Sequence, residues 1–217
     1  MKEEVRLQQY ILDAISEKNC INPDDKKLLL ELSENDDAEI RAYVAELLAL
    51  SNESDIEERL INMCGDQDEL VRINVYDSLS NFPTIDSYSC LLKCAQSDDS
   101  SLARNYALLA IIDIMNCIEI SKVELKELFL TYSCDNEVFT KAICFKGLYA
   151  LGEIEYLDRI IELLNAEEYQ DRCAILNVLR DIMTNENRES ILSAINTLNE
   201  TEESEAVQST INDILLG

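Results

Sequence analysis

Apolar residues recur every three or four positions through most of this chain, which is the spacing of one face of an α-helix. Short polar joints separate these segments, and many of them are acidic, as at residues 34–37, 65–68 and 97–100. Asp and Ser in the joints are expected to cap the helix that follows. The pattern predicts an all-α protein of 12 or 13 helices without regular strands.

A sequence frame recurs six times, at intervals of about 30 to 40 residues, which is the spacing of a helical repeat. In its clearest copies, residues 37–48 and 68–79, an Asp is followed three positions later by an apolar residue and then by Arg. Further apolar residues follow at helical spacing. The basic or polar residue serves as the anchor of each copy. The six anchors are Arg41, Arg72, Arg104, Lys141, Arg172 and Gln208.

Another amphipathic segment precedes each anchor helix, so the repeating unit is a helical hairpin. One hairpin cannot bury both of its apolar faces, whereas a stack of hairpins buries a continuous core. We therefore predict a right-handed α-solenoid of about six hairpins behind an N-terminal capping helix. The expected organisation is a single repeat domain, 1–217, with the capping helix in 1–20 and repeats at approximately 24–51, 54–82, 85–116, 121–151, 155–184 and 187–217.

The anchor bases are predicted to lie at the start of the second helix of each hairpin, beside a joint rich in Asp. A guanidinium at that place can bridge its own joint to an Asp of the neighbouring repeat. We interpret these residues as parts of the scaffold and not as a ligand site. The structural anchors so assigned are Arg41, Arg72, Arg104, Lys141 and Arg172.

The frame Asp-x-x-apolar-Arg-x-x-apolar resembles the HEAT repeat, in the short form of small bacterial HEAT-like proteins. The resemblance covers about residues 24–217, with Lys141 and Gln208 at positions where the family has Arg. It implies a solenoid whose second helices line the concave face. HEAT-like folds also include DNA glycosylases and bilin lyases, so the fold by itself does not exclude catalysis.

The net charge of the chain limits the kinds of molecule that it can bind. The net charge is −26, with 44 acidic and 18 basic residues, and the excess is spread over both halves of the chain. Direct binding to nucleic acid or to an anionic membrane is therefore disfavoured, and a cationic partner is favoured. The alternative is that the acidity only keeps the protein soluble. No apolar run reaches membrane-spanning length and no signal-peptide pattern is present, so we expect a cytoplasmic protein.

The residues that usually carry catalysis are missing from the sequence. There is no His, and the four glycines form no phosphate-binding loop, so we expect no catalytic residue, no cofactor and no enzyme activity. DNA glycosylases use basic grooves, which the charge argues against. The expectation is a binding protein.

The eight cysteines show no repeated short pairs. In a cytosolic protein they are expected to be reduced and to act as small buried hydrophobes, a disulfide framework being the alternative. Cys90 and Cys94 lie one helical turn apart and would be the first ligands to suspect for zinc. A closed zinc site needs four ligands, however, and no second pair with suitable spacing is present, so no metal is expected.

The anchor register also identifies outward positions on the second helices. Most are acidic, and two are Tyr, a residue enriched at the centre of protein interfaces. The alternative is a solvated helix face with two partly buried tyrosines. The expected partner-binding residues are Glu39, Tyr43, Glu46, Asp77, Tyr106, Asp113 and Asp181.

These features together favour an acidic immunity or inhibitor protein that neutralises a basic nuclease toxin by occluding its cationic cleft. In fold and charge, the chain looks like immunity proteins of bacterial contact-dependent toxin systems. The alternative is a general HEAT-repeat adaptor or scaffold for protein assembly. An immunity gene lies beside the gene of its toxin, so the neighbouring gene discriminates between the two.

Overall fold

The computed structural model describes the backbone of residues 2–216 and the side chains of residues 6–216. Met1 and Gly217, the ends of the expected repeat domain, lie outside the described residues. Residues 2–216 form thirteen α-helices and one short 3-10 helix, and no strand occurs among them. In this part of the chain, no helix is long and apolar enough to cross a membrane.

The chain divides into two compact units, residues 1–119 and residues 120–217. The expectation of a single repeat domain stays a prediction, and the units are described separately. The helices of the first unit are α1 (Lys2–Lys18), α2 (Pro23–Leu32), α3 (Ala38–Leu48), α4 (Ser54–Met63), α5 (Glu69–Leu79), α6 (Ile85–Ser97) and α7 (Ser101–Ile114).

Side chains in the polar joints start the second helices of this unit, as the sequence predicts. The carboxylate of Asp37 accepts a hydrogen bond from the backbone N–H of Glu39 at the start of α3. Asp68 caps α5 in the same way, and the hydroxyl of Ser100 caps α7. Each cap satisfies N–H groups that have no partner within the helix.

The first unit is a two-layer stack of helical hairpins. The second helices α3, α5 and α7 pack side by side, α4 packs on α6, and α1 packs against α3. The apolar faces between the layers are fully buried, and they form the core predicted from the periodicity. Among the buried residues are Ile40, Leu48, Val75, Leu79, Leu108 and Ile111.

The second unit repeats this construction. Its helices are α8 (Lys122–Tyr132), α9 (Val138–Ala150), α10 (Tyr156–Glu162), α11 (Tyr169–Asp181), α12 (Arg188–Asn199) and α13 (Glu205–Leu216), with a 3-10 turn at Leu163–Asn165 after α10. Helix α11 packs between α9 and α13. Ile160, Ile175, Leu179, Ile195 and Ile211 belong to one buried core. Both units thus show the predicted all-α repeat stacking of a solenoid.

A close approach of α8 and α9 depends on the absence of a side chain at Gly147. A Cβ built there would lie 2.6 Å from the ring of Phe129, which is fully buried. A buried ring has little room to move in a packed core. Gly has a low helix propensity, but at this position its lack of a side chain allows the two helices to pack closely.

We expect Gly147→Ala to lower the free energy of unfolding by about 1–3 kcal/mol, because the added methyl group overpacks the core at Phe129. Urea unfolding followed by circular dichroism measures this. Gly65→Ala is the matched control, since no atom lies within 4 Å of the Cβ position there. If both variants are as stable as the wild type, the close approach does not constrain the core.

Candidate functional site

The anchor Arg41 connects two successive hairpins. Its Nε and Nη2 donate to the two carboxylate oxygens of Asp66, at 2.7 and 2.8 Å. Its Nη1 donates to the backbone carbonyls of Asn35 and Asp36, at 2.8 and 3.1 Å. The guanidinium therefore holds the loop in front of its own helix and the corresponding loop of the next hairpin. This two-pronged geometry is specific to Arg and is not available to Lys.

The same contact recurs at two other anchors. Arg72 forms a two-pronged pair with Asp98, at 2.8 and 2.9 Å, and Arg172 forms one with Glu202, at 2.7 and 2.9 Å. In every case the acid lies six residues before the next anchor. We call these three pairs, Arg41–Asp66, Arg72–Asp98 and Arg172–Glu202, the anchor ladder.

The remaining anchors make only part of this contact. Arg104 donates to the backbone carbonyl of Asp98 at 2.7 Å, and Gln208 donates to that of Glu202 at 2.6 Å. For Lys141, the position six residues before the next anchor is Ala166, which offers no carboxylate. At Lys141, the departure from Arg therefore coincides with the loss of the acidic partner.

The ladder lowers the pKa of each acid that it contains. Hydrogen bonds from Arg41 hold the pKa of Asp66 below its ordinary value. Burial alone would raise the pKa of Asp98, but hydrogen bonds from Arg72 and Tyr76 outweigh it, so the pKa is lowered. Arg172 lowers the pKa of Glu202 in the same way as Arg41 does for Asp66. All three carboxylates are stabilised in their charged form.

Six of the predicted partner-binding residues lie in the first unit, on α3, α5 and α7. Glu39, Glu46, Asp77 and Asp113 are exposed, whereas Tyr43 and Tyr106 are half-buried. These helices pack side by side, and the side chain of Asn74 on α5 donates to the carbonyl of Ala42 on α3, at 3.2 Å. Equivalent positions of the frame therefore lie on neighbouring helices.

The register also places apolar residues on the same stripe, and these were not among the predicted partner-binding residues. Leu70 and Leu102 occupy the positions equivalent to Glu39, and they are 52% and 44% exposed. Exposed leucines at matched positions are detectable once the frame is aligned. We call the stripe formed by Glu39, Tyr43, Glu46, Leu70, Asn74, Asp77, Leu102, Tyr106 and Asp113 the second-helix face.

Two residues of the predicted set differ from the rest. Asp77 is exposed, yet neighbouring groups displace water from its carboxyl and raise its pKa. Asp181 lies in the second unit, where it pairs with Lys146 at 3.2 Å. At this point the second unit therefore carries an ion pair on its surface.

The cysteines differ from the expectation of small buried hydrophobes. All eight are free, but only Cys64, Cys94 and Cys144 are buried, while Cys20, Cys117 and Cys134 are exposed. The exposed three follow helix ends, where the apolar periodicity no longer decides burial. The structure also brings Cys64 next to Cys90 and Cys94, a neighbour that sequence spacing did not indicate.

Comparison with known proteins supports the repeat pattern. Residues 26–112 match the family model of HEAT repeats. The matched segment extends from α2 into α7, and it contains the first two pairs of the anchor ladder. No curated protein matches the sequence.

Several solved structures share the HEAT-like fold at low identity. YibA of Escherichia coli is 15% identical with a TM-score of 0.59, covering 96% of this chain and 74% of that one. The CpcE–CpcF complex of phycocyanin lyase from Nostoc is 14% identical with a TM-score of 0.52, covering 90% and 94%. The Cnd3–Cnd2 subcomplex of S. pombe condensin is 18% identical with a TM-score of 0.50, covering 97% and 35%. These likenesses establish the fold alone.

We expect Arg72→Gln to lower the free energy of unfolding by about 3 kcal/mol, because it leaves the carboxylate of Asp98 buried without its counter-charge. Asp98 is 3% exposed and Arg72 is 12% exposed. Arg159→Gln is the matched control, since it removes a pair whose partners are 62% and 63% exposed, and it should cost less than about 0.5 kcal/mol. Equal losses in urea unfolding would show that the ladder is no stronger than a surface pair.

Acid should weaken the ladder selectively. A carboxylate whose pKa is lower in the folded state than in the unfolded state stabilises the folded protein at any pH above the unfolded-state pKa, which is about 3.9 for Asp. This contribution is lost as the pH falls through the folded-state pKa. The stability difference between the wild type and Arg72→Gln is therefore expected to shrink from about pH 4 downwards. Urea unfolding of both proteins at a series of pH values measures it. A difference that stays constant down to pH 2 would contradict the assignment.

Proposed function

We propose that the protein is a protein-binding repeat scaffold whose second-helix face binds a basic protein. The observation that supports this most strongly is the composition of that face. Exposed acids alternate there with half-buried tyrosines and exposed leucines on three adjacent helices.

The acids account for attraction at long range. A net charge of −26 produces a field that steers a cationic protein toward the surface and raises its association rate. Exposed single charges contribute little to affinity once the complex has formed. The acidic residues of the face are therefore expected to control encounter more than residence time.

The tyrosines and leucines account for contact at short range. Tyr43 and Tyr106 occupy the same position of the frame in α3 and α7, and Leu70 and Leu102 lie one turn before that position in α5 and α7. Aromatic side chains surrounded by polar groups are typical of interface centres. The tyrosines are already half-buried, so ordering them in a complex costs little conformational entropy.

A nuclease toxin is the partner class that we favour. A nuclease binds a polyanion, so its active cleft is cationic, and an acidic scaffold that enters the cleft both competes with the substrate and gains from the charge. In this form, the protein is an immunity or inhibitor protein. The second candidate is an adaptor for protein assembly, which the HEAT-repeat match itself favours.

The binding test uses the product of the adjacent gene and a pair of charge-matched variants. Glu46→Lys with Asp77→Lys is expected to slow association about tenfold at low salt, and the loss should shrink as salt screens the field. Glu31→Lys with Glu58→Lys is the control, because it changes the net charge equally using exposed acids on α2 and α4. Association rates against ionic strength, from surface plasmon resonance, provide the measurement.

Two outcomes would overturn the proposal. Equal effects of the two double variants would show that net charge matters but that the second-helix face does not. An adjacent gene product that is neither cationic nor toxic would remove the immunity function and leave the adaptor. A separate variant, Tyr106→Ala, should speed dissociation by an amount equivalent to about 1–3 kcal/mol if the tyrosine lies at the centre of the contact.

A further inference from the structure

Three cysteine thiols from two neighbouring hairpins meet on the first unit. Cys64 is the C-cap residue directly after α4, and Cys90 and Cys94 lie one turn apart on α6. The three Sγ atoms lie within 4.8 Å of one another, and those of Cys64 and Cys90 are 2.9 Å apart. Among the described residues, this is the one group of three or more Cys, Asp or Glu side chains with ligand atoms this close together.

The surroundings hold these thiols in place through the anchor ladder. The Tyr76 hydroxyl donates a hydrogen bond to the carboxylate of Asp98 at 2.7 Å, and its oxygen also lies 3.3 Å from the backbone carbonyl oxygen of Cys64. Asp98 is in turn held by Arg72. The loop that carries Cys64 is thereby connected to the end of the helix that carries Cys94. Ligands positioned by a second layer of hydrogen bonds are typical of built metal sites.

The cluster opens into a groove of about 1070 Å³ between α4 and α6. Cys90 is half-buried and lines this groove together with the buried Cys64 and Cys94, so the thiols do not simply fill the apolar core. Other acids line the groove as well, among them Glu58, Asp86 and Asp99. A cation can therefore reach the thiols by an acidic route, which raises its local concentration.

We propose that Cys64, Cys90 and Cys94 form a three-thiolate site for Zn²⁺, with the fourth coordination position open to the groove. This inference does not depend on the proposed partner-binding function, because none of the three cysteines belongs to the second-helix face. Three protein ligands and an open position are the arrangement of zinc sites that bind a water molecule or another exogenous ligand.

Distances and charge favour this cation. Zn–S bonds of about 2.3 Å in a tetrahedral site place sulfur atoms about 3.8 Å apart. The Cys64–Cys90 separation of 2.9 Å is shorter than this, and all three Sγ atoms lie within 4.8 Å of one another, so the cluster is of the size that such a site requires. Thiolates select soft or borderline metals over Mg²⁺ and Ca²⁺. A divalent ion reduces the charge of three thiolates to −1, whereas Cu⁺ would leave −2 among the groove acids.

Zinc binds cysteine as the thiolate, so metal binding must displace the protons of the three thiols, as zinc–thiolate sites generally do.

Binding is tested on the full-length protein, reduced and then freed of reductant, with Zn²⁺ in competition against a chromogenic chelator. We expect one Zn²⁺ per chain and a loss of affinity of at least about 100-fold in Cys90→Ser, because removing a ligand costs more than the 10–100-fold of an outer hydrogen bond. Cd²⁺ serves as a spectroscopic probe, since a sulfur-to-metal charge-transfer band reports thiolate ligation directly.

The controls separate this site from the other thiols and from misfolding. Cys134→Ser removes an exposed cysteine outside the cluster and should leave both affinity and the Cd²⁺ band unchanged. Cys90 is half-buried, so Cys90→Ser is expected to keep the helical circular dichroism spectrum of the wild type. Cys64→Ala and Cys94→Ala should each reduce the Cd²⁺ band in proportion to the lost thiolate.

Specific results would overturn the proposal. A wild type that binds Zn²⁺ no more tightly than Cys90→Ser would show that the cluster is not a metal site. Isolation of the protein with a Cys64–Cys90 disulfide that forms again after reduction in air, and that excludes Zn²⁺, would assign the cluster to thiol–disulfide exchange instead. Tighter binding of Cu⁺ than of Zn²⁺ under matched competition would contradict the choice of a divalent cation.

Discussion

A guanidinium held between two loops controls the geometry of these repeats. Each Arg of the anchor ladder holds the loop before its own helix with Nη1 and the acid of the next loop with Nε and Nη2, as Arg41 does with Asp66. The same loops begin the second helices. The contact between loops therefore positions the helices that carry the second-helix face. Apolar burial supplies the driving force for stacking, but it is not directional, whereas the two-pronged ion pair is.

The acidic residues of this protein have two different roles. Asp66, Asp98 and Glu202 are largely removed from water, paired with Arg and stabilised as carboxylates inside the ladder. Acids such as Glu39 and Glu46 are exposed and have no such partner in the ladder, so they contribute to the external field. Net charge alone does not distinguish the acids paired in the ladder from the exposed acids, although only the exposed acids can steer a partner.

The two units are not chemically equivalent, although both are stacks of hairpins. The first contains two successive pairs of the ladder, the exposed face with two tyrosines, and the cysteine cluster connected to the ladder through Tyr76 and Asp98. In the second, Ala166 interrupts the pattern of acids and Lys146 pairs with Asp181. The candidate binding surface and the candidate metal site therefore both belong to the first unit.

The sequence by itself determined the all-helical class, the number of helices, the repeat frame and the outward positions on α3, α5 and α7. These follow from local periodicity and capping, which depend on residues a few positions apart. Which acid receives each Arg, and the approach of Cys64 to Cys90 and Cys94, depended on the tertiary structure. They involve residues about 25 to 30 positions apart, and only the stacking of one hairpin on the next decides which of the available side chains meet.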